Sequence, residues 1–226
     1  MRTLIALIVV LPLAQSFDSG LAALAQDKQD KWEKDIAAFE EKDKASPPPQ
    51  NEIVFVGSST IRMWKTAEAF PDLKVINRGF GGSQISDAVK YADRIILPYQ
   101  PRIVVVFAGG NDINGGKTPE QVADDFKALA GKIHAALPKT KVYYLSLFPN
   151  VKRKAQDASC VKVNELVHAF IKTDERLGYI DTAAKMRAAD GGPRPELLLD
   201  DGLHMNPAGY KIWNEIVGAV LRGNSK

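Results

Sequence analysis

The sequence predicts an α/β fold: a three-layer α/β/α sandwich around a central, mostly parallel five-stranded sheet. Three observations carry this. From residue 51 onward, short continuous apolar runs alternate with longer amphipathic stretches, as expected for strands buried on both faces and helices buried on one. The first four runs stop at glycine or close to proline, residues that punctuate strands. The connections are short, so each helix crosses over and returns the chain to the same sheet, giving right-handed parallel units.

The elements follow in order. Lys31 to Lys42 is charged and reads as a surface helix, followed by the linker Ser46-Pro47-Pro48-Pro49, whose prolines favour an extended polyproline path. Ile53 to Val56 is a first strand ending at Gly57, Val75 to Asn77 a second ending at Gly79, and Ile103 to Ala108 a third ending at Gly109-Gly110. Val142 to Leu147 is a fourth, stopped by Pro149, and Tyr179-Ile180 is a weak fifth. Helices are expected over Ser83 to Leu97, Asp157 to Thr173 and Pro207 to Leu221. Another starts at Thr118-Pro119-Glu120-Gln121, a capping box with proline at the first helical position. Its apolar stripe is Val122, Phe126, Leu129, Ile133 and Leu137, spaced to face a core.

Residues 1–25 read as a signal peptide: Arg2, the apolar run Leu4 to Ala14, then Ala23-Leu24-Ala25 as a cleavage site. The run falls short of the roughly 20 residues that span a bilayer. A periplasmic or secreted protein starting at Gln26 is therefore expected, with no stable membrane insertion, and a retained anchor is the alternative. Residues 26–50 form the N-terminal helix and proline-rich linker, and 51–226 the main domain. Cys160 is the only cysteine, so no disulfide forms within the chain and the core must supply stability. It falls inside an amphipathic helix, where burial is expected. The 226 residues carry 30 Lys and Arg against 27 Asp and Glu, a net charge of +3. The densest basic run, Lys152-Arg153-Lys154, reads as a solvated loop, and no nucleic-acid partner is expected.

In an open parallel sheet, ligands bind beyond the carboxyl ends of the strands. Three loops reach that rim: Gly57-Ser58-Ser59-Thr60, Asn77 to Gly82, and Gly109-Gly110-Asn111-Asp112. Glycine there lets backbone N–H groups face a ligand, and a serine at a helix start is a candidate acyl-transfer nucleophile. A base is then needed. Of three histidines, His134 and His168 lie within amphipathic helices and read as structural. His204 sits in a loop before the last helix, with Asp201 three residues ahead to hold its imidazole.

These blocks, in this order, resemble those of the SGNH hydrolases, also called GDSL lipases or esterases. Gly57-Ser58-Ser59 is similar to the family's nucleophile block, and Asn77 to Gly82 to its glycine block. Gly110-Asn111-Asp112 is similar to its Gly-x-Asn-Asp block, and Asp201 to His204 to its Asp-x-x-His block. The resemblance covers about residues 51 to 222 and is nearest to the branch holding platelet-activating-factor acetylhydrolase catalytic subunits. It implies a flavodoxin-like sandwich and an ester hydrolase with Ser59 as nucleophile, His204 as base and Asp201 as its orienter. An oxyanion hole would combine the N–H of Ser59, the N–H of Gly82 and the amide of Asn111. Ser58 stands where the family usually has aspartate, which leaves Ser58 as a rival nucleophile. Arg62 is expected in an ion pair, Trp64 in packing, Asp112 as a loop brace, and Asp200 outside the triad.

The implied substrates are short-acyl, carbohydrate O-acetyl or lysophospholipid-type esters. A noncatalytic carbohydrate- or envelope-binding module on the same fold is the alternative reading. No cofactor is expected, because Gln84 breaks the G-x-G-x-x-G pattern. No metal is expected either, because the histidines lack paired ligand spacing. G-x-S-x-G is also absent, which excludes the α/β-hydrolase elbow.

Overall fold

A computed structural model describes residues 31–223; the expected signal peptide and its cleavage site lie outside them. The sheet has five strands, all parallel: β1 (Ile53–Gly57), β2 (Val75–Gly79), β3 (Ile103–Phe107), β4 (Lys141–Leu145) and β5 (Leu177–Ile180). Their spatial order is β2-β1-β3-β4-β5, the flavodoxin-like arrangement. Ile53 lies beside Val75 on one side and Ile103 on the other, so β1 is enclosed. All five of its residues are buried, which is why it reads as a continuous apolar run.

The helices are α1 (Glu33–Ala45), α2 (Ser59–Met63), α3 (Thr66–Ala69), α4 (Ile85–Ile95), α5 (Gly110–Asn114), α6 (Pro119–Ala136), α7 (Asp157–Ile171) and α8 (Pro207–Gly223). α6 begins with the expected capping box: the Gln121 N–H donates to Thr118 Oγ1 and the Thr118 N–H to Gln121 Oε1. Its apolar stripe is buried from Val122 to Ile133. One layer packs α1 on α4, α4 on α6, and α6 on α7. On the other face, an aromatic cluster joins the short helices after β1 to α8. Phe55 lies 5.2 Å from Trp64 and 5.7 Å from Phe70, and Trp213 lies 5.3 Å from Trp64 and 4.9 Å from Phe107, between ring centroids. Rings of this size each remove about 150–250 Å² from water, roughly 4–6 kcal/mol by area alone.

α1 is more than a surface helix. Ile36 is fully buried. Arg94 of α4 grips Glu33 and Glu40 through four hydrogen bonds of 2.6–2.8 Å. At the far end, Asp43 accepts from Arg78 and from the Tyr99 hydroxyl. Burial pushes that hydroxyl up to about 12. Among the described residues, no helix is long and apolar enough to cross a membrane.

Candidate active site

The chain leaves β1 outward to β2 and returns across it to β3, so the topological switch lies between β1 and β3. The crevice beyond their carboxyl ends is where a ligand is expected. At the end of β1, Gly57 has φ +151°, and a Cβ there would fall 2.0 Å from the Phe107 carbonyl oxygen of β3. Only glycine allows that approach. The next residue, Ser58, donates its N–H to the same oxygen at 3.1 Å. The chain then turns into α2 with Ser59 as its first residue.

α2 is held from two sides. Asn77 donates to the Ile61 and Trp64 carbonyls at 2.7 and 3.0 Å, satisfying carbonyls that so short a helix leaves open. The Tyr210 hydroxyl of α8 donates to the Thr60 carbonyl at 2.8 Å.

The opposite side of the crevice is the loop before α8. Asn206 donates to the Glu196 and Leu198 carbonyls and accepts the N–H groups of Ala208 and Gly209. It thereby caps α8 and pins the loop together. His204 is set between two partners. Its Nε2 lies 2.8 Å from Ser59 Oγ, and its Nδ1 lies 2.6 Å from Asp201 Oδ2. Asp201 Oδ1 also accepts the N–H groups of Leu203 and His204, both at 2.9 Å. A carboxylate beside Nδ1 requires the proton there, which leaves Nε2 as acceptor for the serine hydroxyl. The bond to His204 and the two N–H donors hold the Asp201 carboxyl down to about 2, so it is ionised at neutral pH.

Asn111, in α5 after β3, lines the same small cavity as Ser59 and His204. Its Nδ2 donates to the Ser83 carbonyl at 3.0 Å and its Oδ1 accepts from Arg153 at 3.0 Å. Gly82 does not line that cavity. It is exposed at φ +78°, with the Trp32 ring 3.2 Å from where a Cβ would lie. Neither the Ser59 nor the Gly82 N–H has an acceptor among the described residues. The remaining wall is mixed, with Phe107, Leu147, Phe148, Cys160 and Leu203 as its apolar part and Thr60, Asn150, Arg153 and Gln156 as its polar part, and the cavity holds about 50 Å³.

The other candidates fall into place. Ser58 lines the cavity but has no hydrogen bond to His204. Asp200 makes none with His204 either. Asp112 is fully buried and braces the loop, accepting the Ile85 N–H and Lys117; burial pushes its carboxyl up. Trp64 is buried and donates to Asn214. His134 bonds the Thr140 carbonyl, and His168 stacks on Tyr179. Cys160 is buried, its thiol pushed up to about 11. Arg62 departs from the reading: it is exposed, joins no carboxylate among the described residues, and lies over Gly81.

The sequence predicts a solvated loop for the whole basic run, and the structure corrects this at Arg153. Lys152 and Lys154 are exposed, whereas Arg153 is half-buried and lines the cavity. The signal was available: it follows β4, whose carboxyl end lies on the same rim.

The GDSL-like lipase/acylhydrolase family profile matches residues 60–212, a stretch that begins one residue after Ser59 and includes Gly82, Asn111, Asp201 and His204. Among curated proteins, the platelet-activating factor acetylhydrolase IB subunit alpha1 of Bos taurus is 30% identical over 177 residues, covering 73% of this chain and 72% of that one. Among solved structures, a protein provisionally designated a platelet activating factor, from Streptococcus pneumonia, superposes with a TM-score of 0.76 at 20% identity. It covers 91% of this chain and 100% of the other. An acetyl-xylooligosaccharide esterase from Geobacillus Stearmophilus superposes with a TM-score of 0.64 at 15% identity, covering 76% and 95%. The two structural likenesses speak for the fold; the profile match over most of the chain decides the family. The chain belongs to the GDSL-like lipase/acylhydrolase family of ester hydrolases.

Proposed function

We propose that this protein is an exported serine esterase that removes short acyl groups, acetyl first among them, through an acyl-enzyme on Ser59. The observation that carries this is the unbroken chain of hydrogen bonds from Ser59 Oγ through His204 to Asp201, beside a small cavity. His204 Nε2 takes the hydroxyl proton as Oγ attacks the ester carbonyl, then returns it to the leaving alcohol. Asp201 holds the tautomer and stabilises the imidazolium. Water deacylates Ser59 by the same steps.

The oxyanion is met by the N–H groups of Ser59 and Gly82 and by Asn111 Nδ2, whose second hydrogen has no acceptor among the described residues. Size supports a short acyl group. One water-sized centre needs about 10–15 Å³, so about 50 Å³ suits a group the size of acetyl. The names of two relatives, an acetylhydrolase and an acetyl-xylooligosaccharide esterase, point the same way. Export is supported by the leader-like pattern of residues 1–25.

The test is hydrolysis of p-nitrophenyl esters from acetyl to palmitoyl by the wild type and Ser59→Ala. Serine-dependent turnover that falls steeply beyond the shortest acyl groups is expected. Undiminished turnover in Ser59→Ala, or a preference for palmitoyl, contradicts the reading.

A further inference from the structure

Among the described residues, the other half-buried or buried arginines are all paired with carboxylates: Arg78 with Asp43, Arg94 with Glu33 and Glu40, Arg102 with Glu52, Arg176 with Asp174, Arg187 with Asp157 and Arg194 with Glu196. Arg153 is different. Half-buried in the cavity wall, it has no carboxylate within ion-pair distance among the described residues. Its Nη1 instead donates to two neutral oxygens, Gly110 O at 3.1 Å and Asn111 Oδ1 at 3.0 Å. Burial without a compensating anion pushes its pKa down. Keeping a cation there is costly, and a fold-stabilising arginine would be paired with a carboxylate.

What it does hold is the orientation of an amide. Asn111 Oδ1 faces the guanidinium and Nδ2 faces the Ser83 carbonyl. Turning the amide over would set two donors against each other at Arg153 and two acceptors at Ser83. The bond to the guanidinium is also charge-assisted. It draws electron density toward Oδ1, so the remaining Nδ2–H becomes a stronger donor.

We infer that Arg153 is the positioning residue of the oxyanion hole, fixing and polarising the Asn111 amide that receives the developing negative charge. The assignment rests on the esterase reading above. Arg153 itself touches no reacting atom and acts through Asn111. Its loss therefore costs less than loss of the amide, which is typically on the order of 10²–10³ in turnover.

The test is a double-mutant cycle on p-nitrophenyl acetate with wild type, Arg153→Met, Asn111→Ala and the double variant, alongside Ser59→Ala. Arg153→Met is expected to lower kcat about 10–50-fold with KM within about two-fold, the mark of an interaction made in the transition state. In the Asn111→Ala background the same change is expected to cost less than about three-fold, because coupled residues are not additive. Equal losses in both backgrounds, or wild-type kcat in Arg153→Met, overturn the assignment while Ser59-dependent turnover leaves the esterase reading standing. Turnover that survives Ser59→Ala overturns both.

A readout independent of turnover is the side-chain amide pair of Asn111 in ¹⁵N–¹H spectra. Arg153→Met should move it far more than the pairs of Asn77 and Asn206, which do not touch Arg153. An Asn111 pair that stays in place in a folded variant overturns the assignment.

Discussion

Replacing Gly57 by alanine puts a methyl group where β1 and β3 leave no room. The new Cβ would lie 2.0 Å from the Phe107 carbonyl oxygen, 2.8 Å from its carbon and 3.0 Å from Ile61 Cγ1. Ordinary contacts need more than 3 Å, so the strands must part by about 1 Å or more, as overpacking demands. Three costs follow. Overpacking costs about 1–3 kcal/mol, and the positive φ about 1–2 kcal/mol for a residue with a Cβ. Loss of the Ser58 N–H to Phe107 O bond at 3.1 Å costs about 0.5–1.5 kcal/mol. Together these give roughly 3–6 kcal/mol, a large part of the roughly 5–15 kcal/mol that holds a domain folded.

The same movement carries Ser59 away from His204, and a displacement of about 1 Å typically costs about 10²-fold in rate. Urea unfolding followed by tryptophan fluorescence, with kcat on p-nitrophenyl acetate, measures both effects. Gly116→Ala is the control, since Gly116 has φ +92° with nothing within 4 Å of a Cβ among the described residues. It should lose only the strain of its backbone, about 1–2 kcal/mol, and no activity. A Gly57→Ala variant no less stable than Gly116→Ala, with wild-type kcat, refutes the reasoning.

Other outcomes follow from the same geometry. Asp201→Asn should lower kcat by roughly 10⁴-fold at neutral pH by favouring the wrong imidazole tautomer, while Ser59 remains present and the protein folded; a loss under ten-fold argues against the role given to Asp201. The Asp201 carboxyl titrates at about 2 in the folded state against an ordinary 3.8. Its contribution to stability is therefore complete above about pH 4 and lost as pH falls through 2. The melting temperatures of wild type and Asp201→Asn should converge over that window, and a gap that widens there contradicts the sign. Trp213 is fully buried, so Trp213→Ala should cost about 3–5 kcal/mol. Its indole N–H has no partner among the described residues, so Trp213→Phe should cost far less in the same denaturant titration.

How much of this was legible in the sequence depended on how local the signal was. Ile53 to Gly57 and Ile103 to Phe107 are buried over their whole length, and a run of apolar residues needs no tertiary information to be seen. Leu177–Ile180 was weak because Gly178 and Tyr179 are only half-buried, which breaks the run. The capping box of α6 is made by residues three apart and was read directly. The docking of α1 was not, because its grip depends on Arg94 meeting Glu33 and Glu40 across the fold. Arg153 was hidden by its neighbours: three basic residues in a row look alike until the fold exposes two and turns one toward Asn111. Ser59, His204 and Asn111 line one cavity, as their places at the ends of parallel strands and in the turn before a helix lead one to expect. Gly82 was named with them, and its N–H is free of any partner among the described residues, yet the cavity wall does not include it.

The central claim is that Ser59, and not Ser58 beside it, is the attacking group. The most direct measurement is to treat the protein with a fluorophosphonate and map the adduct by peptide mass spectrometry. The account predicts one phosphonylated residue, Ser59, with labelling abolished in Ser59→Ala and slowed in Asp201→Asn. An adduct on Ser58, or labelling that persists in Ser59→Ala, would contradict it.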